Sequence, residues 1–154
     1  MATLTTNKNF LSPTGFQFVI DRSKYPNLEY FCTSVSIPDI SLSEAPTPYK
    51  GTNFAMTGDR ITFGDLTIQF NVTEGMENYV ETFQWMSDIV TKGEDNKADA
   101  TLIILSSHLN ATKEIKFNDV FPVSLDALEF NTQLTEIEYL QASVTFKYTY
   151  FEID

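Results

Sequence analysis

The sequence predicts a single mainly β domain over residues 1–154, in which two packed antiparallel sheets form a β-sandwich or barrel with one α-helix closing it. Several short segments alternate apolar and polar residues, which is the pattern of half-buried strands. Only one segment changes to the helical period. The 154 residues are 42% hydrophobic and include 13 Phe and 7 Tyr, so the chain can build one core from residues that favour strands.

The first 14 residues are mostly polar, with few apolar side chains. We interpret residues 1–14 as an N-terminal arm that becomes ordered against a neighbour. An alternating pattern that begins at Phe16 predicts a strand directly after the arm. Turn residues over 21–27 separate it from a second predicted strand over about residues 28–37. We expect these two strands to pair as a hairpin.

The segment 38–58 shows no sustained period and contains three prolines and two glycines. It is therefore expected to form a long loop. Its large apolar side chains need a surface to pack on, and that surface is either the barrel of the same chain or another molecule. The pattern alone leaves both interpretations open.

Two of the remaining strands are predicted to be long. Within residues 60–72 the apolar phase changes at Gly64, which predicts a bulge or bend at that position. Residues 134–150 place apolar and polar side chains on opposite faces over more than the length of an ordinary strand. We therefore expect the last strand to continue into a second sheet or a neighbouring subunit. Shorter strands are predicted over residues 101–107 and 115–121.

The helical period predicts one amphipathic helix over residues 76–92. Its apolar stripe is expected to face the core. Thr73 is the candidate N-cap, and Gly93 marks the predicted C-terminal end. Trp85 lies just off the stripe, so it is expected at the edge of the core or in an interface. The stripe consists of Met76, Tyr79, Val80, Phe83, Met86 and Val90.

The charge of the chain argues against a nucleic-acid-binding protein. It carries 21 acidic and 10 basic residues, a formal net charge of -11, so its overall field repels phosphate backbones. The acidic excess either keeps a crowded β protein soluble or lines a wall past which nucleic acid moves without sticking. The polar start of the sequence contains no apolar signal segment, and no stretch has the length of a membrane helix. A cytosol-like compartment without membrane association is therefore expected.

No combination of residues predicts catalysis, a metal site or a cofactor. Cys32 and His108 are the only cysteine and histidine, too few to build a zinc site or a disulfide. Ser106 and Ser107 precede His108 directly, and such sequence neighbours rarely form a catalytic triad. The glycines form no phosphate-binding motif. Four carboxylates that could in principle pair as acid and base are interpreted as surface groups: Asp65, Glu74, Glu136 and Glu138.

The run MTGDRITFGDLTIQFN over residues 56–71 contains Gly58-Asp59-Arg60, followed by an aromatic and an acidic residue within a strand. The predicted helix with Trp85 comes directly after it. This order resembles the tail-tube proteins of contractile-tailed bacteriophages. The polar arm, the Phe-rich first strand, the Pro-containing loop and the aromatic last strand extend the resemblance over most of the chain. More distantly, the chain is similar to the ring-forming protein of type VI secretion systems.

The resemblance implies a structural subunit that forms homohexameric rings, and rings that stack into an inner tail tube. DNA would pass the lumen during ejection without specific binding. The implied partners are further copies of the chain and the tail sheath, tape measure and baseplate proteins, in a virion tail assembled in the host cytoplasm. Segment 38–58 corresponds by position to the ring-stacking loop. The implied candidates for contact between rings are Tyr49, Phe54, Met56, Asp59 and Arg60.

Three interpretations stay open beside this one. Asp59 and Arg60 either fix the loop against a neighbour or form a local salt bridge in a turn. A baseplate protein that initiates the tube would share the same fold, and the sequence does not separate the two roles. A small-ligand-binding β-barrel would line a pocket with its aromatic interior, although the helix between the strands argues against that class.

Overall fold

A computed structural model describes residues 3, 5, 6, 9–21, 24–93, 96–136 and 138–154, except the side chains of residues 29 and 30. These residues form nine strands and two helices. In chain order they are β1 (Phe16–Val19), α1 (Pro26–Tyr30), β2 (Cys32–Ser36), β3 (Ile40–Tyr49), β4 (Thr52–Phe63), β5 (Leu66–Asn71), α2 (Glu77–Thr91), β6 (Ala98–Leu105), β7 (Ala111–Leu125), β8 (Gln141–Lys147) and β9 (Tyr150–Ile153).

Seven strands form one antiparallel sheet in the order β1-β6-β7-β8-β5-β2, with β9 paired to β7. β7 joins two halves of this sheet because its first part pairs with β6 and its last part pairs with β8. The first half contains β1, β6, β9 and the start of β7, whereas the second half contains the end of β7, β8, β5 and β2. The predicted mainly β, sandwich-like fold is thereby confirmed, and the sheet is not closed into a barrel. β3 and β4 form a separate two-stranded sheet.

The core lies where both halves and α2 meet. Strands β5 and β8 bury every second residue, as expected for strands with one covered face. Four large side chains in this core are at most 1% exposed: Phe70, Trp85, Phe117 and Phe146. Close packing of such residues fills the interior, so the space that a ligand-binding barrel would keep open is occupied by aromatic rings.

Helix α2 occupies Glu77–Thr91, but it is rotated relative to the prediction. Its buried residues are Asn78, Thr82 and Trp85, whereas Val80, Phe83 and Val90 of the predicted stripe are 51%, 59% and 81% exposed. The prediction that this stripe faces the core is therefore wrong.

The rotation of α2 has a physical reason in its buried polar groups. The Asn78 amide donates to the Asn71 carbonyl at 2.6 Å, and the Thr82 hydroxyl donates to the Asn78 carbonyl at 3.0 Å. Polar groups that keep their hydrogen bonds can be buried at little cost, which allows Trp85 to lie in the centre of the core. Trp85 stacks on Tyr25 with ring centroids 4.2 Å apart and donates from Nε1 to the Asn96 carbonyl at 2.7 Å.

The ends of α2 lie closer to the predicted positions than its buried face does. The N–H of Glu77 donates to the Thr73 hydroxyl at 3.0 Å, and that hydroxyl donates to the Glu77 carboxylate, which lowers the pKa of Glu77. The capping position itself is Met76, which has a left-handed backbone with φ 57°. At the other end Gly93 has φ 61°, the conformation that glycine adopts most readily after a helix.

Three predictions about strands are corrected. The strands near residues 16–20 and 28–37 do not form a hairpin, because β1 pairs with β6 and β2 pairs with β5. The short helix α1 lies between them and starts with Pro26, whose fixed φ suits the first helical position. The predicted long loop 38–58 lies mostly in the β3–β4 hairpin instead. The predicted last strand is confined to β8 and β9, which belong to the second and first half of the sheet.

The bend that the sequence predicts at Gly64 is present. β4 ends at Phe63 and β5 starts at Leu66, so residues 64 and 65 separate the hairpin from the sandwich. A Cβ built on Gly64 would overlap a carboxylate oxygen of Asp39.

Candidate assembly site

The β3–β4 hairpin carries all five residues that the sequence places in contacts between rings. Its turn consists of Lys50 and Gly51, whose φ angles are 45° and 82°. Two residues with positive φ are typical of a type I′ turn, which matches the twist of the adjoining strands. This turn fixes the register so that Tyr49 pairs with Thr52 and Thr47 pairs with Phe54.

Three of the five candidates share one face of the hairpin. Because directly opposite residues point to the same side, the register places Tyr49, Phe54 and Met56 on one face together with Ala45 and Thr47. The rings of Tyr49 and Phe54 lie 5.1 Å apart, and the Lys50 ammonium lies 5.4 Å from the centre of the Tyr49 ring. The three side chains are 50%, 52% and 56% exposed. They form a continuous apolar surface, which we call the hairpin face.

The Gly58-Asp59-Arg60 motif forms a bulge in the hairpin. Ser43 alone lies opposite these three residues, between the pairs Leu42 with Ile61 and Glu44 with Thr57. The Arg60 N–H donates to the Ser43 hydroxyl at 3.2 Å. A Cβ built on Gly58 would overlap the carbonyl oxygen of Ser43, so this position requires glycine.

Both charged residues of the bulge, Asp59 and Arg60, are exposed. Among the residues that the structure describes, neither forms an ion pair, so the predicted salt bridge within a turn is absent. The bulge therefore presents one acidic and one basic side chain beside the hairpin face.

The hairpin is anchored to the sandwich at its base. Phe63, the last residue of β4, packs against Phe151 with ring centroids 5.0 Å apart. Gly64 donates from its N–H to the Asp39 carbonyl at 2.9 Å, and its own carbonyl accepts from the Tyr148 hydroxyl at 2.8 Å. Burial, with Asp65 and Asp39 nearby, raises the pKa of Tyr148 to about 12.

Beyond its base the hairpin is not covered by other residues that the structure describes. Every residue of β3 is exposed, and in β4 only Gly58 and Phe63 are partly buried. An isolated two-stranded hairpin is at best marginally stable in water, because it has no covered apolar face. These 22 residues thus expose apolar side chains and backbone edges that a second molecule can cover.

The structure does not bring the residues that were considered as catalytic or metal-binding candidates into one site. Ser106 lies in the β6–β7 turn, where its hydroxyl accepts from the His108 N–H at 3.3 Å, so both residues have a local role. Cys32 is partly buried, and burial raises the pKa of its thiol to about 11. Asp65 pairs with Lys147 at 3.4 Å, while Glu74, Glu136 and Glu138 are exposed. Within the described ranges, no three His, Cys, Asp or Glu side chains are placed to hold a metal ion.

One apolar groove opens between the two ends of the sheet. It has a volume of about 420 Å³ and is lined by the arm and by β1, β2 and β6, including Leu11, Phe16, Val35 and Ile37. The groove lies at the open edge between β1 and β2 and not inside a closed barrel. No helix in the described part of the chain is long and apolar enough to cross a membrane.

Sequence reasoning missed two further exposed apolar surfaces. One is the outer side of α2 with Val80 and Phe83, which were assigned to the core because they follow the helical period. The other lies in the connection between β7 and β8, where Phe130 and Tyr139 are 74% and 83% exposed. The sequence did contain a sign of the second surface. The predicted last strand is too long for one sheet, which indicates that part of it is not a strand.

The comparisons with known proteins agree with this architecture. The family model of the T4-like virus tail tube protein gp19 matches residues 14–152. Among solved structures, the chain is similar to the tube terminating cap of the anti-feeding prophage, with a TM-score of 0.75 and 16% identity over 99% of this chain and 95% of that chain. No curated protein sequence matches the chain.

Two further solved structures share the fold. One belongs to the sheath-tube complex of an extracellular contractile injection system, PVC, with a TM-score of 0.74 and 20% identity over 99% of each chain. The other is Hcp1 from Flavobacterium johnsoniae, with a TM-score of 0.55 and 16% identity over 90% of this chain and 93% of that chain.

Proposed function

The chain belongs to the family of the T4-like virus tail tube protein gp19, and on that premise we propose that it is the repeating structural subunit of the inner tail tube of a contractile-tailed bacteriophage. Six copies form a ring, and rings stack into a tube that conducts DNA during ejection. The subunit has no catalytic role. Its partners are other copies of itself and the sheath, tape measure and baseplate proteins of a virion tail assembled in the host cytoplasm.

One observation carries this proposal. The β3–β4 hairpin exposes Tyr49, Phe54 and Met56 on one face, and its contacts with the described part of the sandwich lie at its base. A monomer would gain nothing from such an element, whereas stacking on the next ring would cover the hairpin face and satisfy its strand edges. Asp59 and Arg60 would add charged hydrogen bonds at the margin of that contact.

The test is electron microscopy of the purified protein. Parent chain at increasing concentration should form rings and long hollow tubes. A chain that stays monomeric at every concentration would contradict the proposal.

The role of the hairpin face is tested by the double variant Phe54→Ser and Met56→Ser. We expect the circular dichroism spectrum and melting temperature to match the parent, because neither residue contributes to the core, and tubes to become short or absent. The matched control is Asn53→Ser with Ala55→Ser, on the opposite face of the same strand. Equal tube lengths for both double variants would remove the stacking role.

A tube-initiating baseplate protein of the same fold is the second candidate. It is favoured by the similarity to a chain of the anti-feeding prophage baseplate, with a TM-score of 0.62 and 12% identity over 99% of this chain and 97% of that chain. A repeating subunit binds copies of itself on both ring faces, whereas an initiator does so on one face only. Tubes that grow from the purified chain alone support the repeating subunit, and rings that never stack support the initiator.

A further inference from the structure

The connection between β7 and β8, residues 126–140, exposes large apolar side chains to solvent. Phe130, Leu134 and Tyr139 are 74%, 58% and 83% exposed. Isolated apolar residues are common on protein surfaces, but several of them in one short segment are typical of a surface that another molecule covers. We call this segment the β7–β8 connection.

The β7–β8 connection is also strongly acidic. It contains four acidic residues and no basic residue, and all four are exposed: Asp126, Glu129, Glu136 and Glu138. Within the described part of the chain, none of the four forms an ion pair. Negative charges that lie so close in sequence repel one another, so a cation placed among them lowers the electrostatic energy. The connection is therefore suited to a partner surface that is apolar and positively charged.

The outer part of the β3–β4 hairpin has this complementary character. Tyr49, Phe54 and Met56 supply the apolar surface of the hairpin face. Lys50 is the only charged residue within residues 45–58, and its ammonium lies 5.4 Å from the centre of the Tyr49 ring. The hairpin thus places a cation beside aromatic rings, and the connection places carboxylates beside aromatic rings. Such electrostatic complementarity selects partners and fixes how they dock.

The two surfaces lie at opposite ends of the same strand. β5 starts at Leu66, just after the base of the hairpin at Gly64. At the other end of β5, the Val72 N–H donates to the Leu140 carbonyl at 2.9 Å, so the β7–β8 connection returns to the sheet there. The six residues of β5 span about 20 Å. The hairpin and the connection are therefore separated by the length of the sheet.

A contact between these two surfaces has to join two copies of the chain. Within one copy the hairpin continues the β2–β5 pair past its end, because β2 leads into β3 and β4 leads into β5. It therefore leaves the sandwich at the end away from the β7–β8 connection, and its exposed residues show that it does not fold back. Two different surfaces at opposite ends form a head-to-tail contact, which leaves one of each free and can repeat without limit.

We propose that the β7–β8 connection of one copy receives the hairpin face of the next copy. This inference rests on the proposed tube and names the surface on which the hairpin stacks. The rings of the hairpin face pack against Phe130 and Tyr139, and Lys50 lies among the carboxylates of the connection. A contact between two hairpins would instead be symmetric, would end after one pair and would leave the connection exposed.

The pairing is tested with two double variants that each lack one of the two surfaces. Phe54→Ser with Met56→Ser removes the hairpin face, and Phe130→Ser with Tyr139→Ser removes the aromatic rings of the connection. All four side chains are more than half exposed, so the circular dichroism spectra and melting temperatures should match the parent. We expect the parent to form tubes in electron microscopy and neither variant alone to do so.

A mixture of the two variants tests whether the two surfaces belong to one contact. The first variant keeps its connection and the second keeps its hairpin, so one contact can form between them and cannot propagate. When the separately purified proteins are mixed, mass photometry should show particles of about twice the mass found in either variant alone, without tubes.

Two outcomes of this experiment would overturn the inference while the parent tubes leave the proposed function standing. One is that the mixture forms no larger particle. The other is that the connection variant forms tubes by itself, as a contact between hairpins would allow. A parent chain that forms no tubes would instead refute the proposed function and the inference with it.

Photo-crosslinking measures the contact in tubes without removing either surface. p-Benzoylphenylalanine replaces Thr52, which pairs with Tyr49 and lies on the hairpin face, and the matched control replaces Asn53 on the opposite face. After illumination, mass spectrometry of tubes assembled from isotope-labelled and unlabelled chains should join position 52 to residues 126–140 of another copy. Position 53 should give much less of this product. Links from position 52 only to other segments would contradict the inference.

The charge of the contact is tested by Lys50→Glu. We expect this variant to need an about tenfold higher protein concentration for tubes at low salt, because it brings like charges together. The effect should shrink at high salt, where the charges are screened, and Glu136→Lys with Glu138→Lys in the same chain should reverse it. Lys113→Glu on β7 changes the net charge equally and is the control. Equal effects of Lys50→Glu and Lys113→Glu would show general repulsion and contradict the role of Lys50.

Discussion

Phe70 in β5 and Phe54 in β4 are both strand phenylalanines, yet they are 0% and 52% exposed. Phe70 belongs to the sandwich, where burial of its ring contributes to the stability of the single chain. Phe54 belongs to the hairpin face, which packs on nothing in the described chain. The difference teaches that two parts of one subunit are stabilised at different stages. The sandwich gains its stability on folding, and in the proposed tube the hairpin would gain its stability on assembly.

The largest expected effect comes from breaking the sandwich. Trp85→Ala removes a ring that stacks on Tyr25 and packs against Phe146, and large-to-small changes of this kind cost about 3–5 kcal/mol. We expect this loss in the free energy of unfolding from urea denaturation of the subunit. Phe83→Ala on the outer side of the same helix is the control and should change it by no more than about 0.5 kcal/mol. Equal losses for the two variants would contradict the rotation of α2.

An intermediate effect, confined to the hairpin, is expected for Gly58→Val. The added side chain overlaps Ser43, and overpacking of this kind costs about 1–3 kcal/mol locally. Because the hairpin lies outside the core, melting of the sandwich should stay unchanged while amide exchange in β3 and β4 accelerates and tubes are lost. Thr57→Val, one residue earlier on the same strand, is the control. Lowered melting of the sandwich in Gly58→Val would show that the two regions are coupled.

The smallest expected effect is on the stability of the contact between the base of the hairpin and the sandwich. Tyr148→Phe removes the hydrogen bond from the Tyr148 hydroxyl to the Gly64 carbonyl, and such bonds contribute about 1 kcal/mol. Amide exchange should accelerate at the base of the hairpin, near Asp39 and Gly64, more than at its tip. Uniform exchange along the whole hairpin would show that the base is not its anchor.

Tyr148 also makes the free energy of unfolding depend on pH. The pKa of Tyr148 is raised from 10.0 to about 12, so the unfolded chain loses this proton at lower pH than the folded chain. The contribution of Tyr148 is therefore fully present below pH 10 and is lost as the pH rises toward 12. The free energy of unfolding should fall less over this range in Tyr148→Phe than in the parent. Identical falls in both proteins would rule out this linkage.

Local patterns predicted much of the sandwich. Alternation located β5 and β8, a short apolar run located β6, and the phase change at Gly64 located the bend. The rotation of α2 escaped prediction because Asn78 and Thr82 look solvent-exposed in a helical pattern, and only their hydrogen bonds make burial possible. The pairing of β1 with β6 escaped because it joins segments more than 80 residues apart, about which local turn residues carry no information.

The sequence indicated which segment contains the candidate site, but not which of its side chains share a face. The position of the segment in the chain indicated Tyr49, Phe54 and Met56 as candidates. The strands themselves were not predicted, because β3 contains prolines and does not alternate apolar and polar residues. Which side chains share a face depends on the register that the Lys50-Gly51 turn and the bulge at Ser43 impose. The turn and the bulge both depend on backbone conformation, which cannot be inferred from the spacing of apolar residues.

The two-residue turn would also limit how the proposed tube can change its dimensions. Ten residues of β3 reach about 33 Å from base to tip at the usual rise per residue. Adding one residue to each strand moves the tip by about 3 Å and turns Tyr49, Phe54 and Met56 to the opposite side, whereas adding two restores their direction and moves the tip by about 7 Å. If the hairpin face contacts the next ring, as we propose, a longer or shorter hairpin preserves that contact only when each strand changes by two residues.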